Sequence, residues 1–247
     1  MLENTSRTDS DDCRRCGRCC RRGGPALHVA DLDLIRTGVI DLEDLVTLRA
    51  GEPVLDQPRG LTLRLEEEIV KVQGADRASL NAPCRFYLDD GAACAIYDSR
   101  PAECRALLCS DTAGLADMYE RDRLGREDIL PPGHPLLELV REQEEHCPAG
   151  RAVDLAQALL EADMEAGPAQ ELADQLAPLA AWDRQVRLAL AAKAPAGLPA
   201  LARAERFLLG RPLREILAPL GLDLAPDGRA VRPRNTKTTP SKERSRS

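Results

Sequence analysis

The sequence predicts an α+β fold that is mostly α-helical, with short hairpins confined to a cysteine-rich N-terminal part and a helical region after it. Three observations carry this. Aromatic residues make up only 2% of the 247 residues, so any core must be built from Leu, Ala, Val and Ile. Apolar residues recur at helical spacing from about residue 113 onward, whereas alternation and β-branched runs occur only before residue 100. Eight of the nine cysteines lie before residue 110, in two tight groups.

In chain order, residues 1–12 are polar without apolar period and read as a disordered tail. Asp31, Leu32, Leu34 and Ile35 predict a short amphipathic helix ended by Gly38. Leu42, Leu45, Val46 and Leu48 predict a second one, with Gly51 past its end. Leu61, Leu63 and Leu65 alternate with polar residues and Ile69–Val72 is rich in β-branched residues, which together predict a hairpin. A further hairpin is expected around Asp89-Asp90-Gly91, flanked by Cys84–Tyr87 and Cys94–Tyr97. A three-residue loop with Gly91 left-handed would set Cys94 opposite Phe86 and put Cys84 and Cys94 on one face. A two-residue loop would separate them.

Ser99-Arg100-Pro101 signals a helix start, with Pro101 at the first helical position, Asp98 or Ser99 capping it and Cys104 in the first turn. Cys109 would lie about 140° further round an ideal helix. Both could serve one site only if the helix ended between them, so the offset hints at two sites. Later helices are expected over Leu115–Tyr119, Leu136–Val140 and Val153–Met164. A stripe from Leu172 to Leu190 is interrupted or restarted at Pro178, Leu201–Leu209 ends at Gly210, and Pro212–Leu217 restarts. A turn at Pro226-Asp227-Gly228 leads to a short strand ending at Pro233. The domain reading is 13–150 for the cysteine-rich part, 151–233 for the helical region and 234–247 for a basic disordered tail.

Net charge is −7, which argues against general nucleic-acid binding. No apolar stretch approaches the 18 to 20 or so residues that span a bilayer, and Met1–Asp12 lacks the apolar core of a signal peptide. A cytoplasmic protein is expected, where thiols stay reduced and clustered cysteines more often bind metal than pair as disulfides.

Cys13, Cys16, Cys19 and Cys20 form C-x-x-C-x-x-C-C, and Cys84, Cys94, Cys104 and Cys109 follow. Adjacent cysteines cannot form a relaxed disulfide. Eight thiolates suit two closed tetrahedral zinc sites, and C-x-x-C-x-x-C with a remote cysteine suits a [4Fe–4S] cluster. Softness does not separate zinc from iron. Each tetrathiolate carries a net charge of about −2, which Arg100 and Arg105, and less so Arg14, Arg15, Arg18 and Arg85, can offset beside the ligands. Cys147 is surplus to two four-cysteine sites and reads as a free, partly buried thiol; His28 and His134 read as structural or solvent-facing. Glu66-Glu67-Glu68 and Glu144-Glu145 read as solvated faces. No G-x-S-x-G elbow, P-loop, dinucleotide fingerprint or C-x-x-x-C-x-x-C motif occurs.

Cys13-x-x-Cys16-Gly17-x-Cys19-Cys20-Arg21, then Cys84-x-Phe86, Cys94-x-Ile96-Tyr97-x-x-Arg100-Pro101-x-x-Cys104-Arg105 and Cys109, resembles the bacterial YkgJ-type cysteine-cluster family over roughly residues 13–110. The resemblance implies zinc or iron chelation. That family is related to the cysteine-rich part of flagellin lysine methylases, which raises an enzyme or enzyme subunit as the alternative to a metal-binding module with a structural, metal-transfer or electron-transfer role. No substrate or S-adenosylmethionine site accompanies it in the sequence. The partners expected are a metal ion or cluster and, through the helical region, a protein.

Overall fold

The computed structural model describes residues 13, 15–56, 59–77, 82–109, 111–162, 167–193 and 199–225, with the backbone of 231–233. The readings made for 1–12, Arg14, Met164, the 226–228 turn and the basic tail lie outside the described residues.

The described chain is α+β and mostly helical, with four two-stranded antiparallel ribbons. α1 (Leu32–Arg36) is followed by a 3-10 turn at Leu42–Asp44 and then by β1 (Leu45–Leu48), β2 (Pro53–Asp56), β3 (Leu61–Arg64) and β4 (Ile69–Val72). The helix expected at 42–48 is therefore a capped turn running into a strand. Asp41 and Asp44 close the turn by accepting and returning backbone bonds, and all four residues of β1 are buried, so its apolar run carries no alternation to betray it.

Strand pairing also differs from expectation. β4 pairs with β1, Leu45 opposite Val72, and β3 pairs with β2, Asp56 opposite Leu61. Asp56 directs the second pairing, accepting Gly60 N–H on its carbonyl at 2.8 Å and Arg59 N–H on its side chain at 3.2 Å. Both edges of β4 are occupied, because Leu27 N–H donates to the Val70 carbonyl at 2.9 Å and Val70 N–H to the Leu124 carbonyl at 2.8 Å.

β5 (Tyr87–Leu88) and β6 (Ala93–Cys94) form the cysteine hairpin, followed by α2 (Ala102–Ala106) and α3 (Ala113–Met118). Then come α4 (Arg126–Ile129), α5 (Pro135–His146), α6 (Ala149–Glu161), α7 (Gly167–Ala191), α8 (Pro199–Arg203), α9 (Glu205–Leu209) and α10 (Leu213–Leu217), closed by β7 (Leu222–Leu224) paired with β8 (Val231–Pro233). Pro178 neither interrupts nor restarts α7. It sits inside the helix, where Leu176, Leu179, Ala180 and Asp183 are buried around it, and this packing outweighs the lost backbone bond.

One apolar core joins both ends of the chain. Leu27, Ile40, Leu45, Val70 and Val72 pack with Leu124, Leu137, Phe207, Leu208 and Leu209, and the Thr47 hydroxyl donates to the Phe207 carbonyl at 2.7 Å. A second core of Cys147, Val153, Leu159, Leu176, Leu213 and Ile216 binds α6, α7 and α10. Cys147 is fully buried there rather than partly, and burial pushes its thiol up to about 12.

Candidate metal centre

Two glycines bring the first cysteine loop onto the body. Gly24 lies so close to β4 that an added Cβ would fall 2.3 Å from the Val72 carbonyl oxygen. Gly17 is buried at φ +70°, where a Cβ would strike the Tyr87 ring at 2.8 Å, so the loop Cys13–Cys20 rests on that ring only because position 17 has no side chain. A backbone hydrogen bond links the segments directly: Cys84 N–H donates to the Cys20 carbonyl at 2.7 Å.

The hairpin register corrects the expected one. Cys94 lies opposite Tyr87, not Phe86, because the loop runs over Asp89–Ala92, with Gly91 at φ +79° and Ala92 also left-handed at φ +50°. Cys84 still reaches the same side, since a turn closed by Tyr87 N–H on the Cys84 carbonyl at 2.9 Å breaks the alternation between them. Cys94 is near enough to disfavour the Cys84 thiolate.

α2 begins at Ala102 with Pro101 as the flanking residue, and neither Asp98 nor Ser99 caps it. A carboxylate from elsewhere does so. Buried Asp31 accepts Ala102 N–H at 2.8 Å on one oxygen and His28 N–H at 3.0 Å on the other. Glu103 accepts Ala26 N–H at 2.9 Å and faces His28 Nε2 at 3.3 Å, while His28 Nδ1 donates to the Arg121 carbonyl at 2.7 Å. Burial works against a charged imidazole, but Glu103 and that carbonyl outweigh it and raise the His28 pKa. His28 is thus a structural residue that holds the base of α2. His134 is structural too, accepting Leu136 N–H at 3.2 Å at the start of α5. α2 ends at Ala106, between Cys104 and Cys109, which frees Cys109 from the helical offset.

The thiols are tuned by one another. Cys19 and Cys20 have sulfurs 3.9 Å apart, close to the edge of about 3.8 Å that four sulfurs at 2.3 Å make in a tetrahedron. The Cys20 thiol bonds Cys19, drawing Cys19 down to about 6 and driving Cys20 far upward, and burial adds to the rise. Burial pushes Cys84 up to about 11 and raises Cys104 further, with neighbouring cysteines adding to both. Cys16 is lowered by the Arg18 backbone N–H and by Cys109. Donor chemistry therefore fits a soft metal, although no three His, Cys, Asp or Glu side chains among the described residues are gathered at ligating distance.

The arginines divide. Arg100 lowers Cys19 through its charge and stacks at 3.8 Å on Tyr97. Arg15 stacks on the same ring, also at 3.8 Å, so the two guanidiniums must take opposite faces. Arg105 instead donates to the Arg100 carbonyl and lies 3.9 Å from Asp31, and Arg85 pairs with Glu43 and Asp44. Sequence reasoning missed the Tyr97 platform, although its position three before Arg100 was the available signal. It also missed Lys71, whose ammonium is disfavoured by burial and favoured by Glu103 and Cys84. The acidic runs are not all solvated: Glu68 and Glu144 both bind the buried Arg126.

Residues 12–121 match the CxxCxxCC family, described as a "putative zinc- or iron-chelating domain". The match covers less than half of the 247-residue chain. The match supports a general metal-binding role for that segment. The match ends before α4, so the remaining helices lie outside it. Comparison with curated proteins and with solved structures gave no match. No helix among the described residues is long and apolar enough to cross a membrane.

Proposed function

We propose that the segment matching the CxxCxxCC family is a cytoplasmic metal-binding module in which Cys13, Cys16, Cys19, Cys20, Cys84, Cys94, Cys104 and Cys109 are the ligands, holding zinc or an iron–sulfur cluster in a structural, metal-transfer or electron-transfer role. The observation that supports this reading is the backbone bond from Cys84 to Cys20, which ties the two cysteine segments together. When bound, the metal would supply thiolate bonds that the polar loop cannot replace from its own packing. Arg100 would offset part of the added negative charge at Cys19. The motive for the enzyme alternative is the methylase resemblance; among the described residues one cleft of about 420 Å³ is lined by Leu32, Ile35, Ile129 and Pro131 among others, and one of about 520 Å³ by Glu68, Arg126, Arg141 and Glu144 among others.

Anaerobic purification followed by metal analysis and an absorption spectrum separates the metals, since zinc tetrathiolate is colourless and an iron–sulfur cluster absorbs in the visible. Cys16→Ser and Cys104→Ser should lower metal content, because a hydroxyl replaces a soft thiolate, while Cys147→Ser should leave it intact. Unchanged metal in both Cys16→Ser and Cys104→Ser would remove these cysteines from the ligand set.

A further inference from the structure

Tyr87 carries a polar group that no described residue satisfies. It is 9% exposed, and its phenolic oxygen is, among the described residues, the one buried side-chain hydroxyl without a hydrogen-bond partner. A buried hydroxyl left unpaired loses its water without compensation, and a phenylalanine ring fills the same space at no such cost. The oxygen lies against the first cysteine loop: a Cβ placed on Gly17 would fall 2.8 Å from it. Gly17 sits between Cys16 and Cys19. Backbone acceptors around that point already hold donors. The Gly17 carbonyl accepts Arg21 N–H at 2.9 Å, the Cys19 carbonyl accepts Arg22 N–H at 3.0 Å and the Cys20 carbonyl accepts Cys84 N–H at 2.7 Å. Sulfur in this loop also takes hydrogen bonds, since Arg15 N–H donates to Cys13 Sγ at 3.4 Å.

We propose that Tyr87 is a positioning residue whose hydroxyl donates an O–H···S bond to a thiolate of the Cys16–Cys19 turn when metal is held there. This rests on the reading of the cysteines as ligands. A neutral thiol is a weak acceptor, whereas a ligating thiolate keeps lone pairs and negative charge, so the bond to it is charge-assisted and stronger. Tyr87 belongs to the other cysteine segment, where it stands opposite Cys94 across the β5–β6 pair. The bond therefore pins the first loop to the hairpin that carries Cys94, and it adds a donor to sulfur where the arginines add only charge. Partners of this kind orient metal ligands and tune their donor strength.

The test compares the full reduced chain with Tyr87→Phe, each loaded anaerobically with Co²⁺ or with Zn²⁺. Phenylalanine keeps the ring against Gly17 and beneath Arg21, whose guanidinium lies 5.1 Å from the ring centroid. In Tyr87→Phe the sulfur-to-cobalt charge-transfer band should move to longer wavelength, because a thiolate relieved of a donor holds its electrons less tightly. Zinc affinity, from competition with a chromogenic chelator, should fall about 10-fold. Tyr97→Phe, which removes a hydroxyl from the same head, should move neither. An unshifted band in Tyr87→Phe, with zinc affinity unchanged or lowered, would overturn the proposal while leaving the cysteines as ligands, since packing alone does not act on sulfur's electrons. Should Tyr87→Phe fail to fold, the Tyr97→Phe/Tyr119→Phe double variant decides, because Tyr87 is its one remaining tyrosine. Its near-ultraviolet tyrosine band should shift on zinc loading, and an unmoved band would overturn the proposal. A chain that takes up neither zinc nor cobalt, and carries no iron as purified, would overturn both the proposal and the reading beneath it.

Discussion

The cysteine head and the helical body solve the same problem, charge near the interior, in opposite ways. In the body each buried guanidinium meets carboxylates or carbonyls of the chain itself. Arg126 donates to Glu68 at 2.9 Å and to the Leu208 carbonyl at 2.7 Å, Arg211 pairs with Glu52 at 2.7 Å, and Arg49 donates to the Cys147 carbonyl at 2.8 Å. These sit against the two apolar cores. In the head, Arg15 and Arg100 meet an aromatic ring and thiols, and Gly17 is the only buried residue described in the first cysteine loop. The body meets most of its buried charge with its own residues. The head instead sets thiols and guanidiniums side by side with little buried apolar packing in its first loop.

Metal removal should therefore break the two regions apart, and it carries the largest expected effect. Binding free energy at structural zinc sites is on the order of 10 kcal/mol or more. With reductant present, a strong chelator should abolish amide protection in residues 13–24 and 84–109 while β1, β4 and α9 stay protected. Equal protection in the head before and after verified metal loss would show that packing alone holds it. The converse perturbation is Phe207→Ala, which empties the core shared by both ends of the chain and should cost about 3 to 5 kcal/mol. Denaturant unfolding should register that loss, with metal content under native conditions unchanged. A parallel loss of metal would mean that head and body are one cooperative unit.

The sequence made this contrast only partly legible. Cysteine spacing was plain because metal chemistry acts on residue type, and the later helices were plain because period 3.6 survives in single-sided amphipathic segments such as α5 and α6. β1 was read as helix because full burial of Leu45–Leu48 erased the period of two. The partners of β3 and β4 were mistaken because chain neighbours are the default pairing, and here β1 comes back to cover β4. Least legible were contacts across long separations. Asp31 at the start of α2 and Glu68 with Glu144 around Arg126 depend on topology, and no local pattern distinguishes a carboxylate destined for a buried arginine from one left in water.

The smallest expected effect sharpens the comparison most, since it asks whether the head's arginines work through the ring between them. Arg15 belongs to the first cysteine loop and Tyr97 and Arg100 to the second segment, so the stack closes one over the other beside Cys19. A cation over an aromatic face at an exposed site contributes about 0.5 to 1 kcal/mol. Tyr97→Phe keeps the ring and should leave the rate of zinc release to a chelator near that of the unaltered chain. Tyr97→Leu keeps comparable apolar contact without the ring quadrupole and should speed release by a few fold, about what that energy represents at 25 °C. If Phe and Leu accelerate release alike, the phenolic hydroxyl matters and the stacking does not. If neither changes it, the two arginines act on the thiolates through charge alone, and Arg100→Ala should then accelerate release where both ring variants fail to.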